Sequence, residues 1–128
     1  MIDYRAAMPA IALRGTTVLP GMIVHFDVNR KRSVKAIEAA MMEDQKIFLV
    51  TQRNPDIENP GIRDLYQIGT VAYIKQVIKL PQGLIRVLVE GIEKAELCSF
   101  ESEEPYLKSI IDVPEKVTPD ENMLFISE

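Results

Sequence analysis

The 128-residue chain has one histidine, His25, and one cysteine, Cys98. Proton transfer near neutral pH commonly draws on histidine, and covalent catalysis needs a thiol or hydroxyl held beside a base. His25 sits inside Val24-His25-Phe26, a β-forming run, and Cys98 follows Leu97 at the end of another. Both therefore read as structural residues, Cys98 as a small buried hydrophobe. Two such side chains cannot complete a tetrahedral zinc site. The chain contains neither a Gly-rich phosphate loop with Lys-Ser/Thr nor a GxGxxG pattern. It is expected to catalyse nothing itself and to hold no metal or cofactor.

Binding chemistry is better supplied. Arg30, Lys31, Arg32 and Lys35 crowd the start of a helical pattern. A helix N-terminus already carries partial positive charge and favours anions. Cations there make either a solvated surface or a contact patch for an acidic or polar partner. A second candidate surface is apolar, built from the 22–28 strand region and a long loop, with Met22 and Ile57 as its residues.

The net charge is −4, unevenly spread: residues 1–60 hold eight basic and seven acidic side chains, residues 61–128 seven and twelve. Phosphate binding needs clustered cations, and single-strand binding adds aromatic platforms. With no Trp and 6% aromatic residues, a nucleic-acid module is disfavoured. Glu93, Glu96, Glu101, Glu103 and Glu104 read as a solvated face.

The elements that must position these residues follow from periodicity. A brief strand is expected at 10–14, a Leu19-Pro20-Gly21 turn, then a strand at 22–28. Asn29 suits a helix N-cap, and Val34, Ile37 and Met41 recur at helical spacing over 30–43. The nearly continuous apolar run at 46–51 predicts a strand covered on both faces. The connection at 52–67 is long, and a short helical turn at 62–66 would anchor it. Residues 68–80 alternate as one half-buried strand, with Ile68, Ala72, Ile74, Ile78 and Leu80 on one face. Leu80-Pro81-Gln82-Gly83 predicts a type I turn closed by a Gly bulge. The returning strand at 84–97 directs Ile85, Val87 and Val89 inward, and Gly91 predicts a bulge at Ile92. A last strand spans 106–113. Beyond Pro114 the composition is that of a linker, followed by apolar Met123, Leu124, Phe125 and Ile126. Two long bent strands in a hairpin are the natural wall of a small barrel.

The ordered series Leu13-Arg14, Leu19-Pro20-Gly21, Asn29-Arg30-Lys31-Arg32-Ser33 with its alanine-rich helix, Ile68-Gly69-Thr70, Leu80-Pro81-Gln82-Gly83 and Val87-Leu88-Val89-Glu90-Gly91 resembles the N-terminal domain of bacterial ATP-dependent Lon proteases. The resemblance runs from about Pro9 to Pro114; Asn29 stands where the family usually has Gly. It implies a mainly β, α+β fold with one principal helix, a small PUA-like pseudo-barrel. It also implies a division into a β domain at 1–114 and, at 115–128, a linker and the start of a helical extension. The function it implies is substrate recognition and assembly: capture of unfolded or tagged proteins for an ATP-dependent Ser-Lys protease that works as a hexamer, with ATP and magnesium belonging to the parent. Within that family the helix region is implicated in substrate contact. The competing expectation is a free-standing PUA-like module binding RNA or a small ligand, since the fold alone cannot decide function.

Length and composition agree with one such domain. At 128 residues, 47% of them hydrophobic, a core forms without disulfides. No apolar run reaches the length of a membrane span, and the first residues lack a signal-peptide layout. A cytosolic location is expected, away from membranes, and an isolated chain with open strand edges is expected to pair or swap into a dimer.

Overall fold

The computed structural model describes residues 3–58 and 60–114. The expected linker and extension at 115–128, with the apolar Met123, Leu124, Phe125 and Ile126, lie outside the described residues. Six strands and one helix follow in the order β1 (Asp3–Leu13), β2 (Ile23–Val28), α1 (Lys31–Met41), β3 (Lys46–Thr51), β4 (Ile68–Lys79), β5 (Ile85–Ser102) and β6 (Lys108–Pro114). The sheet order is β2-β5-β4-β3-β1-β6, and β6 pairs again with β5. The sheet thus closes into a ring of β5, β4, β3, β1 and β6, with β2 added along the first half of β5. This is the mainly β pseudo-barrel with one helix that the sequence predicts.

Every contact in the ring is antiparallel except β1 with β3, which run parallel. A parallel neighbour requires a crossover; β2 and α1 supply it. The strand expected at 10–14 begins earlier, because residues from Asp3 onward pair with β6.

β3 shows why the run 46–51 is apolar throughout. Ile47 and Leu49 enter one cluster with Ile11, Leu13, Ala36, Ile37, Ala40, Ile74, Val87 and Val89, beneath α1 and β2. Phe48 and Val50 enter the other, with Ala10, Ala12, Val71, Leu97, Ile111 and Val113, inside the ring. Alternate side chains leave a strand on opposite faces; with both faces covered, none of the four can be polar. Their burial is close to complete.

The bulge expected at Gly91 is present: Val71 pairs with Glu93 and Ala72 with Gly91, leaving Ile92 as the extra residue. A second bulge was not legible. Ile74 pairs with Val89 but Gln76 with Leu88, so Lys75 is extra. The expected alternation is inverted beyond it, because one inserted residue exchanges the faces of every residue that follows. Val77 packs against the core while Ile78 is exposed. Ile68, expected inside, is also exposed. The hairpin turn lies one residue later than expected, with Gln82 (φ 66°, ψ 30°) and Gly83 (φ 76°) both left-handed. Two such residues in succession form a primed turn, whose twist suits the flanking strands.

Gly91 is required by a close approach. Its amide donates to the Met22 carbonyl at 2.8 Å and its carbonyl accepts from the Gly21 amide at 2.9 Å. A Cβ placed on it would sit 2.3 Å from the Leu19 carbonyl oxygen. Gly91→Ala is therefore expected to cost about 1–3 kcal/mol, read as a lower urea midpoint with an unchanged slope.

β2 is tied to β5 by a forked pair: Arg86 Nε donates to Asp27 Oδ1 at 2.8 Å and Arg86 Nη2 to Asp27 Oδ2 at 3.1 Å. The Arg86 hydrogen bond holds the Asp27 carboxyl below its ordinary range. A carboxyl depressed in the folded state adds stability above its unfolded pKa, about 3.9, and loses it as pH falls through the folded value. Asp27→Asn should thus lower the urea midpoint slightly at pH 7, and the difference should vanish as pH falls from about 5 towards 2.

Candidate functional site

α1 begins at Lys31, so Arg30 and not Asn29 takes the position before it, with φ −69°, ψ 138° and no side-chain cap. The Arg30 side chain turns away from the first turn. Its Nη1 donates to Gln52 Oε1 at 3.1 Å and to the Glu58 carbonyl at 3.0 Å, and Nη2 donates to the Ala12 carbonyl at 2.5 Å. Gln52, 2% exposed, passes the order onward: its Nε2 donates to the carbonyls of Asn54 at 3.0 Å and Ile57 at 2.9 Å.

This pair of side chains builds the long connection. Its ends meet through Arg53 N–H to Asp64 O at 2.8 Å and Tyr66 N–H to Thr51 O at 3.0 Å. The Arg53 guanidinium lies 4.9 Å from the Tyr66 ring centre. The expected helical turn is a short 3-10 segment, Ile62–Asp64. Its Asp64 Oδ2 accepts from the Gly61 amide at 2.8 Å.

The four cations predicted as one patch point in different directions. Arg30 is half-buried; burial, then the neighbouring charges of Arg14 and Arg32, lower its pKa, and Glu58 opposes them. Arg32 reaches the β5–β6 connection, donating from Nη1 to the Glu103 carbonyl at 3.2 Å with the Glu103 carboxylate at 3.8 Å; its side chain is 15% exposed. Lys31 and Lys35 are exposed and form no ion pair among the described residues.

The apolar candidate also divides. Met22 is partly exposed, and its Sδ accepts from the Leu19 amide at 3.3 Å. Leu19, Ile23 and Ile92, all exposed, belong to the segments that the Gly91 backbone contacts bring next to it. Ile68 borders the same turn across a small cavity shared with Leu19. Ile57 lies elsewhere, half-buried in the loop folded around Gln52. Sequence reasoning missed Leu19, Ile23 and Ile92 as partners of Met22, although the bulge at Gly91 was the signal that Ile92 leaves the sheet's alternation.

His25 and Cys98 are not brought together. His25 is exposed on β2 opposite Leu88, and Cys98, half-buried on β5, places Sγ 3.8 Å from the Glu96 carbonyl. No group of three potential metal ligands occurs among the described residues. The fold is a small closed sheet with exposed apolar side chains beside the 19–22 turn and two exposed lysines on α1.

The comparisons with known proteins give the class its family. The family model described as the ATP-dependent protease La (LON) substrate-binding domain matches residues 7–125. The Lon protease of Lachnoclostridium phytofermentans is 55% identical over 109 residues, covering 85% of this chain and 14% of that protein. Lon protease 1 of Bacillus subtilis is 40% identical over 126 residues, covering 95% of this chain and 16% of its own length. The solved N-terminal domain of the Mycobacterium avium complex Lon protease superposes with a TM-score of 0.64 at 23% identity, covering 91% of this chain and 59% of that one. The chain belongs to the Lon substrate-binding domain family. As such a domain it binds and does not contain the protease active site, and the RNA-binding alternative gains no support.

The Arg30 geometry predicts a separation of roles. Arg30→Met leaves the Ala12 carbonyl and Gln52 without their donor and should cost about 2–4 kcal/mol, with residues 53–66 becoming sensitive to limited proteolysis. Lys31→Glu and Lys35→Glu should change stability by no more than about 0.5 kcal/mol.

Proposed function

We propose that the chain captures unfolded or tagged protein segments for a Lon-type protease, through the apolar cluster of Leu19, Met22, Ile23 and Ile92. The observation that carries this reading is the exposure of all four where backbone hydrogen bonds fix the 19–22 turn, and with it the start of β2, to Gly91 of β5. An unfolded chain offers apolar side chains without a set order, and a rigid apolar patch accepts them without needing one. Lys31 and Lys35, exposed at the start of α1, add attraction for acidic segments.

Capture at one such patch is weak. In a parent hexamer, several copies around a ring raise the effective concentration of a client near the entrance without tight binding anywhere, and release to the motor stays fast. Alone, the chain pairs through its open strand edges as a dimer. It needs no cofactor, ATP and magnesium belonging to the parent's other modules, and it works in the cytosol away from nucleic acid and membrane. No helix among the described residues is long and apolar enough to cross a bilayer.

The test is a titration of a permanently unfolded reporter polypeptide with the wild-type chain and with Met22→Asp/Ile23→Asp. Loss of two apolar contacts from the centre of such a patch should weaken binding about tenfold, with the urea midpoint unchanged. Equal affinity for the two proteins would remove the patch from the function.

A further inference from the structure

Among the described residues β2 is the one strand that pairs on a single side: its neighbour is β5 and no other strand. The Gly91 amide donates to the Met22 carbonyl, and the register runs on from there without a bulge. Bonded and non-bonded residues alternate along an antiparallel pair, so Val24, Phe26 and Val28 bond to β5. The N–H and C=O groups of Ile23, His25 and Asp27 point the other way, and none of them meets another backbone group among the described residues. Edge strands ordinarily carry Pro, Lys or a bulge that turns pairing partners away; Ile23–Val28 has none of these.

Along that free edge lies a groove of about 470 Å³. Met22, Val24 and Phe26 line it from one side, Ile11, Leu13 and Val18 from the other, and no residue of β5 contributes. It therefore runs on the outer side of β2. Ile11, Leu13 and Val18 are core residues, so the floor is apolar while one wall is a ladder of unpaired backbone groups. A helix or a lipid tail laid there leaves the ladder unsatisfied. An extended backbone satisfies it, as in peptide recognition by strand addition. Arg14, exposed at the groove and outside every ion pair among the described residues, favours a backbone that carries a carboxylate.

We propose that an extended segment of an unfolded client adds to the sheet beside β2, antiparallel to it, bonding through its backbone to Ile23, His25 and Asp27. Alternate side chains leave a strand on opposite faces. Client residues opposite Val24 and Phe26 thus send apolar side chains into the groove, and those opposite Ile23, His25 and Asp27 stay in solvent. The edge reads backbone conformation and an apolar residue at every second position, and it rejects proline where a client amide must donate. The proposal rests on the client-capture reading and adds a mode to it: the Met22 cluster supplies side-chain contacts in no set order, the β2 edge a backbone contact.

The experiment titrates the 128-residue chain, by anisotropy, with a fluorescent, end-blocked peptide Gly-Ser-Val-Glu-Val-Ser-Gly. Two isomers are compared with it, one N-methylated on both valines, the other on Glu and the Ser that follows the second Val. Each methyl removes an amide donor and leaves side chains and charge unchanged. The valine amides point away from β2, so their isomer should bind within about threefold of the parent peptide, and the Glu/Ser isomer should bind about tenfold more weakly or worse. Amide exchange should slow on peptide binding at Ile23, His25 and Asp27 and not at Val24 or Phe26. His25→Pro removes an edge donor but no bond to β5 and should abolish peptide binding; if that variant unfolds, the isomers and the exchange decide. Equal weakening of the two isomers, a greater loss with the valine isomer, or unaltered exchange at the three amides overturns the proposal. So does protection of those amides that rises with chain concentration and ignores the peptide, which gives the edge to a second copy. If the unfolded reporter binds and Met22→Asp/Ile23→Asp still weakens it while the two isomers bind alike, strand addition fails and client capture stands. A reporter that does not bind at all overturns both.

Discussion

β5 bonds to β2 and β4 along its first half and to β4 and β6 along its second, so every closure of the sheet passes through one 18-residue strand. A strand of that length between partners on opposite sides must bend, and the bulges at Ile92 and Lys75 are where the β4–β5 pairing yields. The bend turns one sheet into two packed faces. It lets β3 bury both its sides, with Ile47 and Leu49 under α1 and Phe48 and Val50 inside the ring. It also sets the surface chemistry. At Gly91 the backbone of β5 comes within hydrogen-bond distance of the 19–22 turn, and only a residue without Cβ permits it. The exposed apolar cluster is thus a by-product of the bend that closes the core.

The same economy governs the other surface. Arg30 could satisfy its charge in water, yet it is drawn inward, and the Ala12 carbonyl at the edge of β1 is capped by it. Through Gln52 it orders a connection that would otherwise have to sample many conformations. That guanidinium is hydrogen-bonded to neutral acceptors, and the nearby Glu58 carboxylate is the charge that opposes its desolvation. Loop order and the cap on β1 thus come from one side chain.

The sequence was most legible where one physical demand acts alone. Four consecutive apolar residues in β3 admit no reading but burial on both faces, and Gly91 inside an alternating strand announces irregularity. The hairpin and the single alanine-rich helix follow from similarly local rules. Legibility failed where two arrangements share a composition. Residues 68–80 alternate equally well with or without a bulge at Lys75, and only pairing with β5 decides that Val77 and not Ile78 faces inward. Arg30, Lys31, Arg32 and Lys35 look alike as letters, but Ala12, Gln52 and Glu103, distant in sequence, select which two turn inward. Met22 was visible as an apolar candidate; its companions became so only once the 19–22 turn met Gly91.

The placement of the two surfaces bears on how a binding module can be both firm and permissive. The Met22 cluster lies where backbone bonds fix the 19–22 turn and the start of β2 to β5, so its placement depends mainly on the backbone. Its apolar residues can therefore vary widely without loss of the fold. The surface at the start of α1 is the reverse case: it is formed by core-facing residues of β1 and the Arg30 clamp, whose identities the fold requires. A surface free to drift suits contacts with many unrelated unfolded chains.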